Sequence, residues 1–193
     1  MPLQLITPAA EEPVSLAEAK LHLRVESADD DALIGALISA ARQAAETLTG
    51  RQFVTARWKL VLDSFPGSGR MILLPKCPVQ SVFAIEYLDM AAASQTMPSA
   101  EYTVDTASEP GRITPVFGMS WPIALPQIGA VGVSFDAGYG LAANVPEGIK
   151  SWIRLRVGSL YAHREEVALL TRGSIAPLPF IDGLLDPYKV VTI

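Results

Sequence analysis

The chain has little of the chemistry on which most enzymes are built. Its 193 residues include one cysteine and two histidines. With Cys77 alone, no internal disulfide can form, which fits a reducing compartment. His22 and His163 would need two further ligands to hold zinc, and the sequence has no cysteine–histidine cluster to supply them. Charged residues make up 18%, and 15 Lys plus Arg against 20 Asp plus Glu leave a net charge of −5. Affinity for nucleic acid comes mostly from neutralised phosphates, so this balance argues against a general nucleic-acid binder. It still permits a surface past which DNA slides without sticking. No apolar stretch approaches the length a membrane-spanning helix needs. Residues 1–13 contain no basic region followed by an apolar run, so no signal peptide is expected, and the product is expected to be soluble and cytoplasmic.

What is present describes a globular protein. Half of the residues are hydrophobic, enough to bury a substantial core in one domain or in one domain carrying an insertion. The first part reads as helical. Ser15 with Glu18 three residues on makes a capping-box pattern after Pro13, and Leu16, Ala19 and Leu23 follow at helical spacing. Asp29, Asp30 and Asp31 open a second helix, where negative charge suits the positive end of the helix dipole. Its stripe runs through Leu33, Ile34, Leu37, Ile38, Ala41, Ala44, Ala45 and Leu48, and Gly50 supplies the stop. The alanines allow another helix, from this chain or a neighbouring copy, to approach closely.

The period then changes. Trp58, Leu60 and Leu62 alternate with Lys59, Val61 and Asp63, and Pro66, Gly67, Ser68 and Gly69 form a turn signal before a return strand from Met71 to Leu74. Phe83, Ile85 and Tyr87 alternate again, as do Val131, Val133 and Phe135. Short strands are also expected at Tyr102 to Asp105 and Arg112 to Val116, separated by Glu109, Pro110 and Gly111. Short strands between Pro- and Gly-rich turns suggest an antiparallel sheet or a small barrel. A third helix is expected to start with Asn144 as its cap and Glu147 at the capping spacing, with Pro146 in its first turn. Its apolar face would comprise Ile149, Trp152, Ile153, Val157, Leu160 and Tyr161, and Pro177, Pro179 and Pro187 interrupt the apolar tail. The predicted fold is α+β. Helices at 12–54 and 144–193 form one core, and an antiparallel β section at 55–143 is inserted between them.

Each reactive group has a plain structural role available. Cys77 sits beside Lys76 in a turn, with no basic partner evident to activate it. Adjacent carboxylates at Asp29 to Asp31 point in different directions on a helix and lack the spacing of a calcium loop. The run Gly67, Ser68, Gly69 lacks the lysine of a phosphate-binding loop, and Gly138, Tyr139, Gly140 reads as a strand exit. Lys150, Arg154, Arg156 and Arg164 give the third helix a basic bias, either as a solvated face or against DNA or an acidic partner. No recognition-helix or aromatic RNA-binding pattern accompanies them. Trp58, Trp121 and Trp152 read as core or interface anchors, and Trp121, between Ser120 and Pro122 in a loop-like stretch, is the best placed for an interface.

One longer pattern is more specific. Pro13, Val14, Ser15, Leu16, Glu18, Ala19, Lys20, His22, Leu23 and Arg24 come first, then Asp29 to Asp31, Leu33, Ile34, Ile38 and the ending Thr49, Gly50, Arg51. This resembles the opening of tailed-phage head–tail connector proteins. Tyr102 to Asp105, Pro110 to Ile113, Ser120 to Pro122, Phe135 to Gly140, Val145 to Lys150 and Leu185 to Lys189 look like the subgroup that carries a β insertion. Gly148 departs from the alanine common at its place in that family, and glycine in a helix interior costs about 1 kcal/mol relative to alanine.

The resemblance implies a structural protein, not an enzyme, with no cofactor and no metal. It would add to the portal vertex as a homo-oligomeric ring of about a dozen copies, through a side-to-side contact closed by rotation. Its partners would be the portal protein, a tail-proximal connector or stopper protein, and DNA in non-specific passage, with no membrane contact. It would be found in the host cytoplasm during assembly and then in the virion neck. Leu37, Ala41, Ala44, Leu48 and Trp152 are the expected subunit interface. Trp121, Lys150, Arg154, Pro187 and Tyr188 are the expected docking or channel residues. Two other readings stay open: another neck or tail-completion protein, and a small enzyme with its site in the β section, for which no convergent titratable set is visible.

Overall fold

A computed structural model describes residues 2–67, 70–163 and 183–190. Ser68 and Gly69 of the predicted turn, Arg164, Pro177 and Pro179 lie outside the described residues. The fold is α+β and divides into two compact units. One comprises Met1–Ala10, Arg51–Tyr139 and Val190–Ile193, and the other comprises Glu11–Gly50 and Gly140–Lys189.

In the helical unit, α1 spans Leu16–Leu23. The Glu18 amide donates to Ser15 Oγ (3.2 Å), and the Ser15 amide donates to Glu18 Oε2 (2.7 Å), so the capping box closes in both directions. Helix α2 spans Asp31–Thr49 and ends at Gly50, whose φ of 72° is the left-handed stop that its sequence position suggests. Helix α3 spans Glu147–Ala162. The three helices pack on one another. They bury Ile34, Ile38, Ala41 and Ala45 from α2, Ile149, Trp152, Ile153 and Val157 from α3, and Ala19 from α1. The acidic run does more than open α2. Asp31 accepts from Lys20 of α1 (2.5 Å), and Asp30 accepts from the Tyr161 hydroxyl of α3. The start of α3 corrects the expected cap. Pro146 is its N-cap, while Asn144 belongs to a preceding turn of 3₁₀ helix, Ala142–Asn144.

In the sheet unit the strands are β1 (Leu3–Thr7), β2 (Ala56–Leu62), β3 (Ile72–Leu74), β4 (Val79–Leu88), β5 (Ser94–Thr96), β6 (Tyr102–Asp105), β7 (Gly111–Pro115) and β8 (Val131–Ala137). They form a five-stranded sheet in the order β1-β2-β8-β4-β5 and a three-stranded sheet in the order β3-β7-β6. Every pairing within them is antiparallel. Leu60, Leu62, Ile85, Val131, Val133 and Phe135 of the larger sheet share one core with Ile72, Leu74 and Ile113 of the smaller. The opposite face of the larger sheet carries cross-strand ion pairs. Arg57 donates to both oxygens of Asp136 (2.8 and 2.9 Å), and Lys59 donates to Glu86 (2.9 Å).

Two features were not foreseen. Strand β1, to which no role was given, pairs with β2 and puts the first residues of the chain in the sheet unit. In β4 the register shifts between Val82 and Ala84, so the strict alternation through Phe83, Ile85 and Tyr87 fails. Val82 and Ile85 face the core, and Phe83 is turned out, 64% exposed, beneath the Arg57 guanidinium at 4.0 Å from its ring centre.

Candidate assembly surfaces

The expected interface residues divide by burial. On α2, Leu48 is 51% exposed, Leu37 and Ala44 are half-buried, and Ala41 is buried. On α3, Trp152 is buried. Ala41 and Trp152 are therefore corrected: they are spent inside the chain and offer no surface to a neighbour. The stripe is wider than one packing face needs, and its flank, Leu37, Ala44 and Leu48, carries what remains accessible.

The docking candidates divide in the same way. Trp121 is buried, so its ring does not stand out as an anchor and instead lines a surface recess with Phe65 and Pro66. Its ring stacks on Phe65 with centroids 5.1 Å apart and planes at 12°, and its Nε1–H donates to the Arg70 carbonyl (2.9 Å). Lys150 is also buried, with its Nζ 3.5 Å from Glu147 Oε1, so it is not an open cation on a channel wall. Arg154 is half-buried and donates to Glu147 Oε2 (3.0 Å) and Ser151 Oγ (3.2 Å). The Arg154 hydrogen bond holds the Glu147 carboxyl below its usual range. Much of the basic bias of α3 is thus neutralised locally.

Pro187 is exposed and Tyr188 half-buried in a short 3₁₀ turn, Asp186–Tyr188. This segment accounts for the unusual glycine of α3. A Cβ at Gly148 would lie 3.1 Å from both Cε2 and Oη of Tyr188 and 3.5 Å from the Leu184 carbonyl. Glycine there gives up helix propensity so that the chain near Tyr188 can lie against α3.

In the sheet unit, the arginine of the Thr49, Gly50, Arg51 ending has a definite task. Arg51 is buried and donates Nη1 and Nη2 to the two oxygens of Glu109, each at 2.5 Å, and its guanidinium lies 6.0 Å from the Tyr139 ring centre. Cys77 is buried nearby in sequence register, paired through an isolated bridge with Arg51, and burial pushes its thiol pKa up. An unreactive thiol follows. Among the described residues there is no group of three or more side chains able to hold a metal ion, and no helix is long and apolar enough to cross a membrane.

The surface that sequence reading missed lies between β7 and β8. Phe117 is fully exposed, Met119 52%, Ile123 78% and Ile128 91%. Large apolar residues concentrated in one exposed stretch mark interaction sites. A signal was available: apolar residues recur among Gly118, Pro122, Pro126 and Gly129, where loop composition would ordinarily be polar.

Comparison with known proteins agrees with this picture of an assembly component. The family model described as phage gp6-like head-tail connector protein matches residues 13–103. A search of curated proteins found no match. Among solved structures, a chain in the virion of a native gene transfer agent particle is 25% identical with a TM-score of 0.83, covering 100% of this chain and 97% of that one. A chain in the neck of an empty gene transfer agent particle, computed with C6 symmetry, is 25% identical with a TM-score of 0.81 and the same coverage. A third, from the neck of the native particle computed with C12 symmetry, is 24% identical at a TM-score of 0.73 and shows the shared fold.

Proposed function

From a chain that carries the domain of the phage gp6-like head–tail connectors over residues 13–103, we infer a structural connector of the neck of a tailed-phage or gene-transfer-agent particle. The observation that carries this is the end-to-end match, 100% of one chain on 97% of the other, to a chain of a gene transfer agent virion. Copies close into a ring on the portal vertex, extend the DNA channel and give the tail its platform. The relative from a neck computed with C6 symmetry supports the ring, and a copy number of about a dozen follows from the family resemblance. Leu37, Ala44 and Leu48 on α2 are the part of the expected subunit contact that remains accessible. Pro187 and Tyr188, with the adjoining tail, are the docking segment toward the portal. The net charge of −5 suits a wall past which DNA slides.

The test is co-purification of the full chain with the portal protein of the same particle, followed by light scattering of the complex. Rings of this chain seated on the portal are expected. A chain that stays monomeric at every concentration and ignores portal particles would overturn the reading. A second neck role, tail completion, is kept because the related structures are described as neck without a position within it. Binding to tail tubes in preference to portals would favour that role.

A further inference from the structure

The connection between β7 and β8, residues 116–130, is exposed but well anchored. The Val116 amide donates to the Glu101 carbonyl (3.0 Å), the Leu125 amide to the Leu88 carbonyl (2.8 Å), and the Gly129 amide to Asp63 Oδ1 (2.9 Å). The Trp121 indole hydrogen bond and its stacking on Phe65 pin the centre. Between these anchors, the Met119 amide donates to the Val116 carbonyl (2.9 Å), and Gly118 has φ of 84°. This is a tight turn with glycine at its third position, and it puts Phe117 at the tip. The ring of Phe117 is wholly in solvent, so it does not rest on its own unit.

The same unit also has a place for such a ring. Two recesses, of about 270 Å³ and 250 Å³, flank Phe65 and Pro66. Trp121 and Ile123 line the first, Met71 and Leu73 line the second, and Ser64 lines both. Among the described residues, no charged side chain lines either recess. An apolar knob held on a rigid turn and an uncharged aromatic cleft therefore occur on one folded unit.

We propose that Phe117 of one copy seats in the Phe65–Pro66 cleft of the next, making a side-to-side contact between sheet units. A second copy is favoured over a different partner because one repeated contact covers both features. A different protein on either one would leave the other bare. Knob and cleft are distinct features of the same chain, so a contact in which each copy gives its knob to one neighbour and its cleft to the other is heterologous, the type that a rotation repeats into a ring. The proposal rests on the ring reading above and adds a contact outside the helices.

The test uses the full chain with a benzophenone amino acid at position 117, irradiated over a series of concentrations. Copy-to-copy cross-links are expected to map to residues 60–74 or 120–124. Two exposed-site variants complete it, and unchanged melting would show that both fold. Phe117→Asp removes the knob, and Ser64→Trp fills the cleft. Each alone should weaken self-association at least about tenfold, as loss of an aromatic anchor does. Their mixture should recover a one-to-one dimer, since one intact knob and one intact cleft remain. Rings that form without the 117 cross-link, and equally well in both variants, would overturn this contact and leave the ring reading standing. No self-association of the unmodified chain, either alone at any concentration or on portal particles, would overturn both.

Discussion

The helical and sheet units keep their apolar residues in different places. Among the described residues, four large apolar side chains are exposed on the helical unit: Leu21, Leu33, Leu48 and Leu141. Ten are exposed on the sheet unit, including Phe83, Phe117, Ile123 and Ile128. The helical unit instead spends polar chemistry on holding its helices. Arg42 bridges Glu12 (2.7 Å) and Glu46 (2.8 Å), Lys20 meets Asp31, and Tyr161 meets Asp30. The sheet unit has ion pairs as well, Arg51–Glu109, Arg57–Asp136, Lys59–Glu86 and Arg112–Asp105, but its two sheets close over a continuous apolar core. The units therefore differ less in their polar ties than in the apolar surface they leave exposed, which marks the sheet unit as the one that offers such surface to others.

The largest expected effect tests whether the units stand or fall together. Phe135→Ala removes a fully buried ring from the centre of β8 and should cost about 3–5 kcal/mol. Ile34→Ala removes a fully buried side chain from α2 and should cost about 2–5 kcal/mol. Urea unfolding would be followed by circular dichroism for the helices and, in a Trp152→Phe background that removes the tryptophan of α3, by the fluorescence of Trp58 and Trp121 for the sheets. Two units with separate cores predict that each variant shifts one signal more than the other. Equal shifts of both signals would show one cooperative domain.

A smaller effect is expected at Arg51. Glu109→Gln leaves the buried guanidinium with a neutral partner in place of a bidentate carboxylate and should cost about 1–3 kcal/mol. The loss should appear in the sheet signal. A loss confined to the helical signal would contradict the placement of Arg51 with the sheets.

Acid should act on both units through carboxylates whose pKa is held down in the folded state. In the helical unit, Glu18 is lowered by hydrogen bonds from the Ser15 side chain and amide, and Glu147 by Arg154. In the sheet unit, Asp105 is lowered well below the carboxylate range, first by Ser108 and then by Arg112, and Asp89 by Gln95 and the Ala93 amide. A depressed folded pKa gives stability that is complete above the unfolded value, about 4, and lost as pH falls through the folded value. Asp105→Asn should flatten the acid limb of the sheet signal, and Ser15→Ala that of the helical one, with a neutral-pH loss of about 1 kcal/mol for the cap. Acid curves that do not change in either variant would remove these groups from the balance.

These contrasts were unevenly legible in the sequence. The capping box at Ser15, the stop at Gly50 and the alternation of Trp58, Leu60 and Leu62 rest on local rules, and the structure follows them. What could not be read depends on residues far apart in the chain. Strand β1 exists because β2 offers it an edge, and Phe83 turns outward because it is the extra residue that β4 inserts against β8. Burial of Trp121 requires Phe65 and the Arg70 carbonyl, about fifty residues earlier in the chain. The departure at Gly148 was visible as an oddity, but its reason, Tyr188, lies forty residues away. The surface candidates suffered most, because a stripe of apolar residues does not say which of its members a chain keeps for itself.

The smallest effect sharpens the comparison at one backbone position. The helical unit ends α1 on Arg24, with φ of 57°, and the amides of Arg24 and Val25 close the last turn on the carbonyls of Leu21 (3.3 Å) and Lys20 (3.1 Å). The left-handed region strains a residue with a Cβ and suits glycine, which is why Gly50 serves the same purpose at the end of α2 without strain. Arg24 is exposed, and among the described residues its side chain has no hydrogen bond or ion pair that would hold it in that conformation. Arg24→Gly should therefore stabilise the helical unit by up to about 1 kcal/mol, reduced by the greater freedom glycine has in the unfolded chain. The gain should appear in the helical unfolding signal and be absent from the tryptophan fluorescence of the sheets. A loss would mean that the arginine side chain contributes more than its backbone costs, and would add the end of α1 to the places where the helical unit relies on a charged group.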